Sequence, residues 1–232
     1  MDFNLNDDQK VAVAHRDGPC LLTAVPGSGK TTTLTARVVQ LINSGISSKN
    51  ILCITFTNKA AKEMKERIKK ALQVNDLNFF VGTFHALCAN ILRVYGSKIG
   101  YTNKFSILDS KDQDALLDKI IKQLGYRKKE DKIYSYHISS VLNRERENLL
   151  TENEVVESFK REMEKRVAQE YLNSIKKHNS IDFSGLLYET VKLLRQEEDV
   201  LKHLQGVFKY IQCDEVQDTN YAQFELLNML GG

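Results

Sequence analysis

Proline is scarce in this chain, with two among 232 residues, and neither an internal repeat nor a low-complexity tract is present. No long flexible linker is expected. An uninterrupted apolar stretch of membrane-spanning length is also missing, and the opening MDFNLNDDQK is acidic and polar, without the basic and apolar regions of a secretory signal. These absences argue against secretion and membrane insertion, and a cytoplasmic protein is expected. No Cys-x-x-Cys pair occurs: Cys20, Cys53, Cys88 and Cys213 lie far apart inside apolar runs such as PCLLTA and ILCITF. Buried thiols in a reducing compartment fit that pattern better than disulfides or metal ligation. Charge of one sign is lacking as well, with Lys plus Arg at 33 against Asp plus Glu at 30 and a net charge of +3. So small an excess does not by itself indicate a polyanionic partner, and any basic surface must be local. His15, His137, His178 and His203 show no ligand spacing.

What is present is enough apolar content, 42%, for a substantial core in one large domain or one domain with an insertion. CLLTA, residues 20 to 24, reads as a strand closed by Pro26 and Gly27, and a helical pattern runs from Lys30 through Leu34, Val38, Leu41 and Ile42. ILCITF is apolar on both faces, as a covered parallel strand is, and NKAAKEMKERIKKAL after it reads as a helix with lysines on its outer face. FFVGTF with HALCANILRVYG, and YIQCD with TNYAQFELLNML, repeat the strand-then-helix order. That alternation predicts an α/β fold with a parallel sheet. Between about residue 96 and residue 180 charged helical segments dominate, which predicts an all-helical insertion between two strands.

AVPGSGKT, residues 24 to 31, places a Gly-rich turn between strand and helix, where backbone N–H groups and a helix N-terminus can surround phosphate oxygens. Pro26, Gly27, Ser28, Gly29, Lys30, Thr31 and Thr32 form the candidate nucleotide cradle. Gly27 and Gly29 permit close backbone approach, Lys30 neutralises the β and γ phosphates, and Thr31 offers its hydroxyl to Mg²⁺. Ala24 departs from the usual first glycine of such a loop. CDEVQDTN, residues 213 to 220, is weaker alone, because acidic clusters at strand ends are often solvated turns. Paired with the loop, Asp214 is the candidate Mg²⁺ ligand and Glu215 the candidate base for the attacking water. Asp218 has the alternative role of capping a helix that begins at Thr219.

Together these motifs resemble the N-terminal half of superfamily 1 DNA helicases of the UvrD, PcrA and Rep type. LNDDQKVAV looks like the family's adenine-reading glutamine motif, AVPGSGKT like motif I, ITFTNKAAKEMKERI like motif Ia and VGTFHALCANILR like motif Ib; IDFSGLL looks like a segment before the Walker B strand and CDEVQDTNYAQ like motif II. Motif I of the family commonly has Ala first, which accounts for Ala24, while Val216 stands where Phe is usual. The resemblance implies ATP and Mg²⁺ as cofactors, Gln9 on the adenine, Arg37 near the same nucleotide, and Gln217 as a sensor of the γ-phosphate or attacking water. It also implies a RecA-like domain 1A, residues 1–95 and 181–232, incomplete at its C-terminus, and a helical domain 1B, residues 96–180.

For single-stranded DNA the resemblance implies a base stacked on Phe56, with Thr57, Asn58, Thr83 and His85 on backbone or sugars. The alternative for Phe56 is core packing, and for His85 an ordinary structural histidine. In domain 1B, which the resemblance implies lies against duplex DNA at a junction, Arg127, Lys128, Lys129, Lys132 and Arg144 mix with Tyr126, Tyr134 and Tyr136, a composition that can bind phosphates, although such a face is also commonly only solvated. The family's second motor domain and its γ-phosphate-reaching arginines would lie beyond Gly232. The expected function is therefore the ATP- and DNA-binding part of an ATP-dependent 3′-to-5′ helicase, acting with a missing C-terminal motor domain, monomeric and without unwinding activity as a fragment. Two competing readings are a non-catalytic nucleotide- or DNA-binding module and the N-terminal part of a helicase-nuclease subunit.

Overall fold

A computed structural model describes residues 3–25 and 27–232. In chain order the first elements are α1 (Asp7–Ala14), α2 (Lys30–Asn43), β1 (Ile51–Thr55), α3 (Asn58–Leu72) and β2 (Phe80–Thr83). Next come α4 (Phe84–Tyr95), β3 (Ser106–Leu108), α5 (Ser110–Gln123), α6 (Lys128–Asp131) and α7 (Ser135–Glu147). The remainder are α8 (Glu152–Glu157), α9 (Glu162–Lys177), β4 (Ser180–Asp182), α10 (Phe183–Gln196), α11 (Glu198–Val207), β5 (Tyr210–Cys213) and α12 (Tyr221–Gly231). Internal packing divides the chain into two compact units: Met1–Phe84 with His203–Asp218 and Gly231, and His85–Lys202 with Thr219–Leu230 and Gly232.

The first unit is built on a parallel sheet of order β2-β1-β5, with Cys53 opposite Val81 on one side and opposite Gln212 on the other. All five residues of β1 are buried, as a strand paired on both edges and covered on both faces requires. Val38 and Leu41 of α2, Met64 and Ile68 of α3, and Ile51, Cys53 and Val81 of the sheet make its core. Thr57 caps α3, its hydroxyl accepting from the Ala60 N–H at 3.1 Å.

One expectation fails here. Residues 19–25 form no strand; Leu21 and Val25 are 72% and 73% exposed, and Cys20 is an exposed free thiol while Cys53 and Cys88 are buried and Cys213 half-buried. A five-residue apolar run becomes a strand only where a neighbour supplies ladder hydrogen bonds, and among the described residues β5 pairs only with β1.

The second unit is mainly helical, with a core from α5, α7, α8 and α9 that includes Leu117, Ile121, Leu142, Val167 and the fully buried Tyr171. It is not entirely helical: β3 and β4 pair in parallel, Ile107 opposite Ile181. Strands of three residues are too short to carry a period-2 signal, so an all-helical segment was the natural expectation. Among the described residues no helix is long and apolar enough to cross a membrane.

Candidate functional site

The Gly-rich turn enters α2 through Gly29, whose φ of 91° is left-handed and whose Cα faces the Gln9 side chain. A Cβ there would stand 2.9 Å from Gln9 Nε2, so both backbone conformation and close approach call for glycine. Gly27 is left-handed too, with φ 80°. No side chain caps α2, which leaves its first N–H groups free for an anion. Lys30 Nζ donates to the Ala24 carbonyl at 3.2 Å, across the mouth of the turn. Among the described residues the Ser28 hydroxyl oxygen is buried without a hydrogen-bond partner, an arrangement that is costly unless something else occupies the turn. Thr32 is half-buried in the first turn of α2. The expected contact at Pro26 lies outside the described residues.

Asp214 stands at the end of β5, held by its own N–H donating to the Ile54 carbonyl at 3.0 Å. The residue is 8% exposed, and its carboxylate accepts from the Glu215 N–H at 3.1 Å. Burial, followed by the neighbouring Glu215 charge, pushes its pKa upward, while Thr31 and Lys30 pull the other way. A carboxylate so poorly compensated is suited to receive a cation. Thr31 and Asp214 offer one hydroxyl and one carboxylate, a donor set that fits Mg²⁺, which usually keeps several waters and completes its octahedron with phosphate oxygens. Among the described residues no group of three or more His, Cys, Asp or Glu forms a metal cage.

Glu215 adopts φ 52°, uncommon for a non-glycine residue, and its carboxylate is exposed. Gln217 Nε2 donates to Glu215 Oε2 at 2.6 Å and more weakly to Asp218 at 3.4 Å, so the glutamine fixes the direction of the glutamate. Asp218 is not the helix cap: it lies in the short 3₁₀ turn Val216–Asp218, and Asn220 caps α12 by accepting from the Gln223 N–H at 2.9 Å. The helix begins at Tyr221, two residues later than the pattern suggests, because Asn220 and Gln223 form a reciprocal capping box.

Gln9 is engaged on both amide atoms: Oε1 accepts from the Asn6 N–H at 2.9 Å and Nε2 donates to the Ser28 carbonyl at 2.8 Å. One Nε2 hydrogen remains for a ligand beside the turn. Arg37 instead secures α2 to the end of α1, donating to the His15 carbonyl at 2.6 Å, and its burial lowers the guanidinium pKa.

At the end of β1, Phe56 is half-buried, its ring edge-on to the buried Phe84 at 5.8 Å. The ring is therefore packed in part against the core, as the alternative reading of Phe56 expects, and is not fully buried. Thr57 and Asn58 are exposed at the start of α3, and Thr83 is 9% exposed at the end of β2. In the second unit His85 is half-buried, which lowers its pKa and keeps the ring neutral at pH 7, and it meets Phe183 edge-on at 5.5 Å. Phe183 is 44% exposed although the eight residues after it, Ser184 to Val191, are all buried. Sequence reading missed it, and the only available signal was an aromatic directly after the capping Asp182. Of the basic and aromatic residues further along, Tyr134 and Tyr136 stack at 5.5 Å, but Arg127 pairs with Glu130, Lys128 with Asp118 and Arg144 with Glu145.

This geometry can hold a polyphosphate and a divalent cation between a helix N-terminus and a strand-end acid, with a glutamate beside them. The UvrD/REP helicase N-terminal domain family matches residues 5–232. The chain is 40% identical over 233 residues to the ATP-dependent DNA helicase PcrA of Bacillus subtilis, covering 97% of this chain and 31% of that protein. A probable DNA helicase II homolog of Mycoplasma capricolum is 36% identical over 235 residues, 97% of this chain and 32% of its own length. PcrA of Staphylococcus aureus is 34% identical over 230 residues, 98% of this chain and 31% of its own. The chain thus spans about a third of the length of these relatives, and it belongs to the UvrD/REP helicase N-terminal domain family.

Proposed function

We propose that this chain is the ATP- and single-stranded-DNA-binding part of an ATP-dependent 3′-to-5′ DNA helicase, a RecA-like domain 1A (residues 1–95 and 181–232) carrying a helical domain 1B (residues 96–180). The observation that supports it most is the buried Asp214 carboxylate at the end of β5, whose charged form is favoured by Thr31 and Lys30 of the Gly-rich turn. Thr31 and Asp214 would hold Mg²⁺, whose chemistry when bound is to neutralise charge on the β and γ phosphates. Lys30 moves from the Ala24 carbonyl to those phosphates, the α2 N–H groups bind their oxygens, and the Ser28 hydroxyl gains the partner it lacks. Glu215 takes the proton of the attacking water, with Gln217 steering its carboxylate. Gln9 reads the adenine with its remaining amide hydrogen, and Arg37 supports the same side of the nucleotide by fixing α2.

Phe56 stacks on a base, Thr57, Asn58 and Thr83 meet the DNA backbone, and His85 with the exposed Phe183 contacts sugars or bases. Translocation in this reading requires a second motor domain, which also supplies transition-state arginines. Calorimetry with a non-hydrolysable ATP analogue and Mg²⁺ tests the reading. Lys30→Ala should weaken binding by at least ~1.5 kcal/mol, the scale of a charge-assisted contact. Equal affinity in the variant would remove the nucleotide assignment.

A further inference from the structure

The net charge of the whole chain is +3, yet α3 alone carries six cations and two carboxylates, a net of +4 and the largest excess of any helix among the described residues. Lys59, Lys62, Lys65 and Lys69 follow one another at i,i+3 or i,i+4 spacing, so they form a ridge along the helix. The opposite stripe, Ala61, Met64, Ile68 and Ala71, is buried, which leaves the ridge on the outside.

A solvated helix face ordinarily mixes its charges. α5 does so, with three lysines and three aspartates, and Lys165 and Lys176 of α9 pair with Glu157 and Glu152. In α3 the carboxylates Glu63 and Glu66 are at pairing distance in sequence, but the ion pairs formed are confined to Lys69, at 3.7 Å from Glu66 and 4.0 Å from Asp76. Among the described residues, Lys59, Lys62, Lys65, Arg67 and Lys70 make none. Stability does not explain the ridge. Like charges at this spacing repel, and only Lys69 and Lys70 sit in the last turn, where a cation complements the helix dipole. Lys59 lies in the first turn, where a cation opposes it.

We infer that the outer ridge of α3 is a phosphate track for single-stranded nucleic acid, extending the strand's path beyond Phe56, Thr57 and Asn58. This rests on the DNA reading of Phe56 given above. The ridge begins two residues after the capping Thr57 and is about 15 Å long at 1.5 Å per residue, a length over which one strand carries about four phosphates. No base-reading group lies on it, so the contact is indifferent to sequence and sensitive to salt.

The test measures fluorescence anisotropy of deoxythymidine oligomers, one of about 4 and one of about 16 nucleotides, across a salt series. The proteins are the wild type, Phe56→Ala, and the combined Lys62→Gln, Lys65→Gln, Lys69→Gln variant. The combined variant should bind the long oligomer at least ~10-fold more weakly at low salt, with a salt slope about 2 units shallower, as loss of three phosphate contacts on a single strand implies. It should match the wild type on the short oligomer and melt close to it, because relieved repulsion along α3 offsets the loss of the exposed Lys69 pairs. Phe56→Ala should weaken both oligomers. If the combined variant keeps the long-oligomer affinity and slope while Phe56→Ala still weakens binding, the track is refuted and the Phe56 reading survives. If the wild type binds neither oligomer, both fail. Polyglutamate competing as well as the long oligomer would overturn the assignment to nucleic acid.

Discussion

Two aspartates end short parallel strands in this molecule, and their surroundings are opposite. Asp182, after Ser180 and Ile181, is 1% exposed and accepts from Arg146 Nη1 at 2.7 and 2.9 Å, Tyr171 Oη at 2.6 Å, Gln113 Nε2 at 3.3 Å and the Gly185 N–H at 2.7 Å, capping α10. Asp214, after YIQC, is nearly as buried but has the single Glu215 N–H as its donor and a second carboxylate as its neighbour. Asp182 is satisfied by the protein, and its work is structural. Asp214 is left short of positive charge, and a ligand can supply what the fold does not.

The contrast can be broken most forcefully at Arg146. Truncation to Ala leaves the Asp182 carboxylate buried without its counter-charge and should cost ~3–5 kcal/mol in denaturant unfolding. A loss below about 1 kcal/mol, the scale of an exposed pair, would mean that Asp182 is not the closed site described. At the other aspartate the expected loss is in turnover rather than folding. Glu215→Gln should retain Mg-nucleotide binding while any ATP hydrolysis falls by ~10² or more, the usual scale for loss of a general base. Unchanged kcat would take Glu215 out of the chemistry.

A smaller effect separates the turn from the acid. Gly29→Ala forces a side chain into a left-handed conformation and against Gln9, and should destabilise by ~1–2 kcal/mol by thermal melting. The smallest effect is also the most diagnostic in sign. Because the folded-state pKa of Asp214 is raised, the folded protein binds that proton more tightly than the unfolded chain, so the group's contribution to stability is greatest at low pH and falls as pH rises through the shifted value. Asp214→Asn should abolish this pH term and leave stability at pH 7 unchanged or higher by ~1 kcal/mol at most, whereas a clear loss would class Asp214 with Asp182.

Periodicity made β1, α3, β2 and α4 legible, since apolar residues there recur at strand or helix spacing and the turns between them are marked. The same rule misjudged residues 20 to 24, which have strand composition but no ladder partner, and it could not see β3 and β4, which are three residues each. Asp218 and Asn220 are both competent caps, and only the reciprocal bonds between Asn220 and Gln223 choose between them. Phe183 carried no local sign of exposure, because exposure depends on which neighbours arrive from elsewhere in the chain.

The sequence by itself determined the chemical inventory: a glycine able to turn left-handed, a lysine and hydroxyl directly after it, an acidic pair at a strand end, and a lysine ridge on one helix face. These depend on residue type and on backbone geometry over a few positions, which local order dictates. Only the tertiary structure decided which strand-end aspartate is quenched and which stays open. The partners that quench Asp182 come from Arg146 and Gln113, 36 and 69 residues away, and no local pattern specifies whether such distant donors will meet a given carboxylate.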